Sequence, residues 1–421
     1  MKYLDIAMPN YNLHLIKTNK FRVITLRVVY TALISKEEVI KRNFLTDLLV
    51  QSTKKYPSKR ELGLKSQDLY AVSISTHNNR LGKYYNSNFI MTALNEKYTE
   101  KGNIEECFKL LNEILYNPDV KDNKFNENSF QIVYKNIEAE IKSIKEQPKK
   151  YANAKMMEIM GKDEPYAIKT YGELAELKKL TPENMYEFYL NNLNCLKDIY
   201  ILGDFDIDKM KLLVDKYFAV NKKIVLEKLF IEHKESNKLD IYKEQDNNNQ
   251  SKLAIGCKIY DLTYKEREYV LPLYNMILGG GADSKFFRNI REKHSLCYYI
   301  NSRCNKVDNI MAITSGISLE NYDKVFSLIK KEMNNMLVGK ITNEELNNAK
   351  NIFMSLLDEI FDAPQSIIEA HYATVLLDSQ DKIETRKKEL NNVTKEDIMK
   401  VSAKIKIDTV FLLEGISNEK D

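Results

Sequence analysis

The chain has no tryptophan, and only five cysteines and five histidines among 421 residues. The cysteines, Cys107, Cys195, Cys257, Cys297 and Cys304, are odd in number, irregularly spaced and form no C-x-x-C pair. That pattern implies neither a disulfide framework nor a cysteine zinc site, and a reducing, cytoplasmic setting fits it. The histidines, His14, His77, His233, His294 and His371, never fall within one helical turn of each other. No helix can therefore offer two imidazoles to one zinc ion. No apolar run approaches the ~18 residues of a membrane span. The opening stretch "MKYLDIAMPNYNLHLIKTNKF" carries Asp5 and Pro9 where a secretion signal needs an apolar core. Charge of one sign is missing too. With 64 basic and 60 acidic residues the formal net charge is +4, which leaves no electrostatic footprint for nucleic acid or a membrane surface.

What is present points to a soluble two-domain chain. Hydrophobic residues make up 43% and charged residues 29%, enough for real cores under a polar surface. The length suits two domains of about 200 residues each. "RVITLRVVY" (22–30) is β-branched and predicts a strand, and 36–56 predicts a helix. The alternating stretch 71–94 predicts a hairpin breaking at Asn78-Asn79. Phe130, Val133, Ile137, Ile141 and Ile144 form one stripe at helical spacing, predicting a helix over about 126–146 that Pro148 stops. In the second half, "SKLAIGCKIYDL", "LCYYINSR" and "NIMAITSGIS" read as strands. "EREYVLPLYNMILGG" reads as a helix ended by glycine.

The chain also repeats itself. "FNENSFQIVYKNIEAEI" from 125 resembles "ITNEELNNAKNIFMSLL" from 341, and "LTPENMYEFYLNNLNCLKDIYILGD" from 180 resembles "VTKEDIMKVSAKIKIDTVFLLEG" from 393. The offsets are 216 and 213 residues. In the second pair Thr181 and Thr394 are placed as helix N-caps, with Pro182 in the first helical position of one and Asp397 closing a capping box in the other. Two matches at nearly one offset predict a duplicated α+β domain: a first half at 1–220, a polar linker at 221–250 and a second half at 251–421.

"LGGGADSKFFRNIREKHSLCYY", ending at Tyr299, is the most distinctive stretch. It is not a phosphate loop, because Ser284-Lys285 reverses the required Lys-Ser order and no glycine precedes the lysine. Gly279, Gly280 and Gly281 end one helix and allow close backbone approach. With the order of elements around it, this stretch resembles the second half of the pitrilysin/insulinase-like zinc peptidases, which carries a Gly-rich turn, a helix with an Arg-Glu-Lys core, then a Leu-Gly/Cys-Tyr strand. "YILGDFD" (200–206) looks like the strand that ends the first half of those proteins. The resemblance spans nearly the whole chain and implies two homologous α+β domains, antiparallel-rich sheets covered by helices, arranged like a clamshell.

That family is defined by H-x-x-E-H on a first-half helix. The matching stretch is "NFLTDLL" (43–49), where Asn43 and Asp47 stand in place of the histidines and Thr46 in place of the general base; Glu140 matches the downstream ligand. A neutral amide does not replace an imidazole on zinc, so Asp47 and Glu140 read as a polar remnant and no metal is expected in this chain. Arg291 and Tyr298 are kept. In the family these two reach the peptidase site, bind the substrate carbonyl and stabilise its oxyanion, roles that suit a forked guanidinium and a directional phenol. The resemblance therefore implies a non-catalytic subunit of a heterodimeric zinc peptidase. Arg291 and Tyr298 would act in trans, Gly279–Gly281 would contact the peptide, and zinc would sit in an H-x-x-E-H sister subunit. The YmfF-like bacterial branch has this character and is associated by name with modification of elongation factor P.

Two other readings stand beside it: an inert peptide-binding or scaffold protein of the same fold, and a self-sufficient peptidase with an unusual metal site at Asp47 and Glu140. The remaining features have structural readings. His294, Cys297 and Cys304 match no metal spacing, His371 is expected as a satisfied core histidine, 329–340 as a surface helix and "EQPKKYANAK" as a solvated basic face.

Overall fold

The computed structural model describes residues 1–193, 195–218, 229–234, 238–377, 379 and 381–416. They divide into two compact units: 1–142, 168–229 and 361–376 in the first, and 143–167, 230–360 and 377–421 in the second.

The first unit is built on the strand Val23–Leu33, whose run of β-branched and aromatic residues is almost entirely buried. The six-stranded sheet around it runs Lys2–Ala7, Asn12–Lys17, Leu196–Gly203, Val23–Leu33, Tyr84–Leu94, Ser73–Leu81. Asn12–Lys17 and Leu196–Gly203 are parallel, and the other neighbours antiparallel. Because strand side chains alternate between faces, one face receives Leu13, Leu15, Ile24, Leu26, Val28, Ile199 and Ile201. It packs in one core with Phe44, Phe108, Leu111, Phe130 and Val133 from the helices Lys36–Leu49, Asn103–Tyr116 and Glu127–Ser143.

The other face of this sheet is polar. Arg27 is 2% exposed. Its Nε and Nη2 donate to Asn88 Oδ1 at 3.0 and 2.8 Å, its Nη1 pairs with Glu369, and its guanidinium lies over the Tyr372 ring at 4.7 Å. Glu369 and Tyr372 belong to the helix Pro364–Leu376, which the second half of the chain contributes to this unit.

The second unit repeats the plan. Its five-stranded sheet runs Cys297–Asn305, Ile310–Ile317, Ser251–Ile259, Ile405–Gly415, Asp240–Asp246, with the last pair parallel. Read from the parallel pair outward, this is the strand order of the first sheet without its edge strand. The repeated helices match in length: Glu127–Ser143 and Asn343–Glu359 are both 17 residues. Thr181 and Thr394 are both N-caps with closed capping boxes, on Asn184 and Asp397. The fold is the expected duplicated α+β architecture.

The helix that covers the outer face of the second sheet is Pro148–Gly161, from the first half of the chain. Ala152, Met156 and Met160 pack there with Ala254, Ile310 and Phe411. Gly256 makes room, since a Cβ at that position would lie 2.5 Å from both methionine sulfurs. Pro148 and Pro364 are 216 residues apart, the offset of the first repeat, so each half supplies one equivalent helix to the other half's sheet.

Several local expectations shift. The helix from 36 ends at Leu49, not 56. The hairpin turns at Gly82 (φ 55°), not at Asn78-Asn79, which stay paired with Ser87 and Asn86. The helix expected over about 126–146 ends at Ser143, and Pro148 opens the next one. Within the expected linker, 240–246 is a sheet strand, while 221–228 and 235–237 lie outside the described residues.

Arg27→Ala strands Glu369 and Asn88 without their partner and empties a buried site. It is expected to destabilise the first unit by about 2 kcal/mol through the lost Asn88 hydrogen bonds, with a lower urea midpoint and faster amide exchange in Pro364–Leu376. Unchanged exchange in that helix would show that Arg27 does not hold it.

Candidate functional site

Two places bear on chemistry, one in each unit. The first is the helix Lys36–Leu49. Ser35 caps it, its Oγ accepting from Glu38 N at 3.1 Å. Val39, Ile40, Phe44, Leu45, Leu48 and Leu49 anchor it in the core, which fixes where Asn43, Thr46 and Asp47 project. Asn43 is fully engaged: its Nδ2 donates to Thr170 O at 2.9 Å and its Oδ1 accepts from the Tyr85 hydroxyl at 2.7 Å. The buried Thr46 hydroxyl lies 2.7 Å from Arg42 O, one turn back, and 3.1 Å from Asn78 Oδ1.

Asp47 lines a cavity of about 500 Å³ with Lys59, Ser75, Thr76 and Asn136 over an apolar floor that includes Ile74, Leu110 and Val133. Burial, and after it the Glu140 carboxylate, raise the pKa of Asp47 above its ordinary 3.8, with Lys59 opposing. Zinc does not fit this donor set. No imidazole is present, and the amide and hydroxyl are committed to hydrogen bonds.

The second place is the glycine-rich stretch. Gly279 caps the helix Leu271–Leu278, its N–H donating to Asn275 O at 3.0 Å and its carbonyl accepting from Ser302 N at 2.9 Å. A Cβ on Gly279 would lie 2.6 Å from the Phe286 ring and from Ser302 Oγ, and one on Gly280 would meet Asn275 at 3.0 Å; Gly281 is looser. The first two glycines thus let the turn close on the strand Cys297–Asn305. The helix that follows is held at its base by Glu345, which accepts from Lys285 Nζ at 2.9 Å and pairs with Arg288.

That helix then widens. Lys293 N donates to Arg288 O, five residues back, across Phe287–Glu292. Such wide turns occur in short pieces and often at functional sites. Arg291 sits in this turn with its side chain 41% exposed. It stacks on Phe287 at 4.6 Å, and its Nε is 4.0 Å from Glu292. Ser295, at φ 50°, turns the chain into the strand. There the pairing jumps from Cys297↔Ile317 to Tyr299↔Gly316, leaving Tyr298 as the extra residue of a β-bulge. Tyr298 is 67% exposed, as expected of a side chain re-aimed by a bulge. Tyr299 is half-buried, with Lys149 and Lys252 over its ring at 4.4 and 5.9 Å.

The family profile described as "Peptidase M16 inactive domain" matches residues 179–353, a span that includes the whole glycine-to-tyrosine motif. Through this span the chain resembles the pitrilysin/insulinase-like peptidase family, M16. It is similar along 408 residues to the "Probable inactive metalloprotease YmfF" of Bacillus subtilis, at 28% identity over 96% of this chain and 95% of that one. A conserved protein of Enterococcus faecalis superposes with a TM-score of 0.94 at 25% identity, covering 99% of this chain and all of that one. The peptidase M16 inactive domain of Pseudomonas fluorescens shares the fold, with a TM-score of 0.81 at 16% identity and full coverage of both chains. The chain is thus a homologue of the inactive M16 proteins, and Asn43 and Thr46 stand with their polar groups already hydrogen-bonded. Among the described residues no helix is long and apolar enough to cross a membrane.

His294, Cys297 and Cys304 do not converge. Among the described residues a single triad of metal-capable side chains has its ligand atoms within 4.8 Å of one another, Asp5, His14 and His371. Sequence reading passed over it because its members lie on three elements far apart in the chain.

Asp47 supplies a pH test. Its pKa is higher folded than unfolded, so folding stability declines as pH rises from the ordinary carboxylate value through the raised one. Asp47→Asn removes that dependence. The variant is expected to melt higher than wild type at neutral pH and to match it below about pH 3.5, under the unfolded-state value; equal melting temperatures at neutral pH would show that the carboxylate is not strained.

Proposed function

We propose that this chain is a non-catalytic subunit of a heterodimeric zinc peptidase that works in peptide or protein processing. Its partner is an H-x-x-E-H sister subunit that holds the zinc, which supplies Lewis-acid activation of water there. Arg291 and Tyr298 are this chain's contribution. The guanidinium binds the substrate carbonyl through two forked N–H donors. The Tyr298 hydroxyl donates one directional hydrogen bond to the oxygen as it gains negative charge, an interaction stronger in the transition state than in the ground state. Gly279–Gly281, at the root of the motif, border the path of the peptide. A link to elongation factor P rests on the family resemblance alone.

One observation carries this reading: Arg291 and Tyr298 are both exposed, and each stands on a backbone irregularity, a wide helical turn and a bulge, that directs it outward. Backbone departures of this kind cost stability and persist where a side chain must be aimed. The alternative, a peptide-binding scaffold with no part in catalysis, draws on the same filled zinc position but leaves those two irregularities without a purpose.

Reconstitution separates the two. Hydrolysis of peptides is expected only when the chain is mixed with its zinc-bearing sister. Arg291→Ala and Tyr298→Phe should each lower kcat/KM of the mixture by about 10²-fold or more, with melting temperature unchanged because both side chains are exposed. A fully active mixture containing either variant would leave the scaffold reading in place.

A further inference from the structure

The polar outer face of the first sheet holds an arrangement that the peptidase reading does not use. His14, in Asn12–Lys17, is 3% exposed. Its direct cross-strand neighbour is Asp5, and His14 Nδ1 lies 2.7 Å from Asp5 Oδ1. His371, on the helix Pro364–Leu376, places Nε2 2.7 Å from the same oxygen. Two imidazole nitrogens from separate elements thus converge on one carboxylate. The side chain of Asp5 is 50% exposed and that of His371 10%, so solvent reaches the site while its floor stays buried.

The surroundings fix the rings. His14 stacks on Tyr200 at 4.2 Å and 12°, and His371 meets His14 edge-on at 5.8 Å and leans on Tyr3 at 5.0 Å. Behind His14 stands Asp198, 4% exposed, with Oδ1 3.5 Å from Nε2 and accepting from Asn12 Nδ2 at 2.7 Å. A carboxylate on the far nitrogen of a histidine is the usual second layer of a metal site: it holds the proton on Nε2 and turns the Nδ1 lone pair towards the ion.

We propose that Asp5, His14 and His371 bind one divalent transition-metal ion of the zinc class, and that the ion staples the helix Pro364–Leu376 to the first sheet. Two imidazoles and a carboxylate are donors that Zn²⁺ and its first-row neighbours accept, leaving a fourth position for water. Bonds of about 2.0–2.1 Å require ligand atoms about 3.3 Å apart, so the two 2.7 Å contacts each open by about 0.6 Å when the ion replaces the two bridging protons. The half-exposed Asp5 side chain has the freedom to do this. The site lies on the sheet face opposite the helix that carries Asn43 and Asp47, so it is not the remnant of the peptidase metal position.

The test uses the full chain, stripped by chelator and titrated with Zn²⁺ and with Co²⁺, whose visible spectrum reports nitrogen and oxygen ligation. One equivalent is expected to bind. His371→Ala and Asp5→Asn should weaken binding by 100-fold or more, and Asp198→Asn by about 10–100-fold. Asp47→Asn should leave binding unchanged. Zn²⁺ should slow amide exchange in Pro364–Leu376 of the wild type and not of His371→Ala. Absence of one-to-one binding, indifference to His371→Ala and Asp5→Asn, or loss of binding in Asp47→Asn would each overturn the proposal.

Discussion

Two hydrogen bonds on Asn43 decide the character of this protein. In a zinc-bearing relative the corresponding helix must present a lone pair from each of two imidazoles, with nothing else competing for them. Here the side chain at that point is an amide whose oxygen accepts from Tyr85 and whose nitrogen donates to Thr170. One turn on, the Thr46 hydroxyl is folded back on its own helix. The position is therefore closed chemically as well as stripped of histidine. Asp47 and Glu140 remain as two carboxylates with no imidazole beside them, and burial followed by the Glu140 charge raises the Asp47 pKa.

That closure gives meaning to the second unit. The glycine-to-tyrosine stretch keeps a costly geometry: Gly279 packs against backbone with no room for a methyl group, the helix loosens by one residue at Arg291, and the strand slips by one residue at Tyr298. A chain with no histidine at this helix and with an exposed guanidinium and phenol in its second unit is coherent with the proposal that another subunit supplies the metal.

Much of this was legible in the chain. The two repeats and the capping threonines at 181 and 394 gave the duplicated α+β plan, because amphipathic period and cap chemistry are local. The exchange of Pro148–Gly161 and Pro364–Leu376 between the sheets was not legible, since an apolar stripe says that a helix is covered without saying by what. The Asn78-Asn79 pair read as a turn, yet Asn78 Oδ1 receives Thr46 from one side and Asn79 Oδ1 receives Asn88 from the other. Those tertiary partners outweighed local turn preference, and Gly82, free to adopt positive φ, took the turn. Asn43 was visible as a missing ligand; Tyr85, 42 residues away, as the group that occupies it was not. His371 read as a satisfied core histidine, but the carboxylate that satisfies it, Asp5, lies 366 residues distant and is shared with His14.

The central claim concerns differential binding: Arg291 and Tyr298 hold a tetrahedral oxyanion better than a planar carbonyl. The most direct measurement is the affinity of the reconstituted heterodimer for a phosphonate peptide, a tetrahedral mimic, beside that for the matching uncleaved peptide. The account predicts that the Arg291→Ala, Tyr298→Phe double variant loses about 10²-fold or more in phosphonate affinity while the plain peptide binds within a few-fold of wild type. Equal affinity of wild type and double variant for the phosphonate would contradict it.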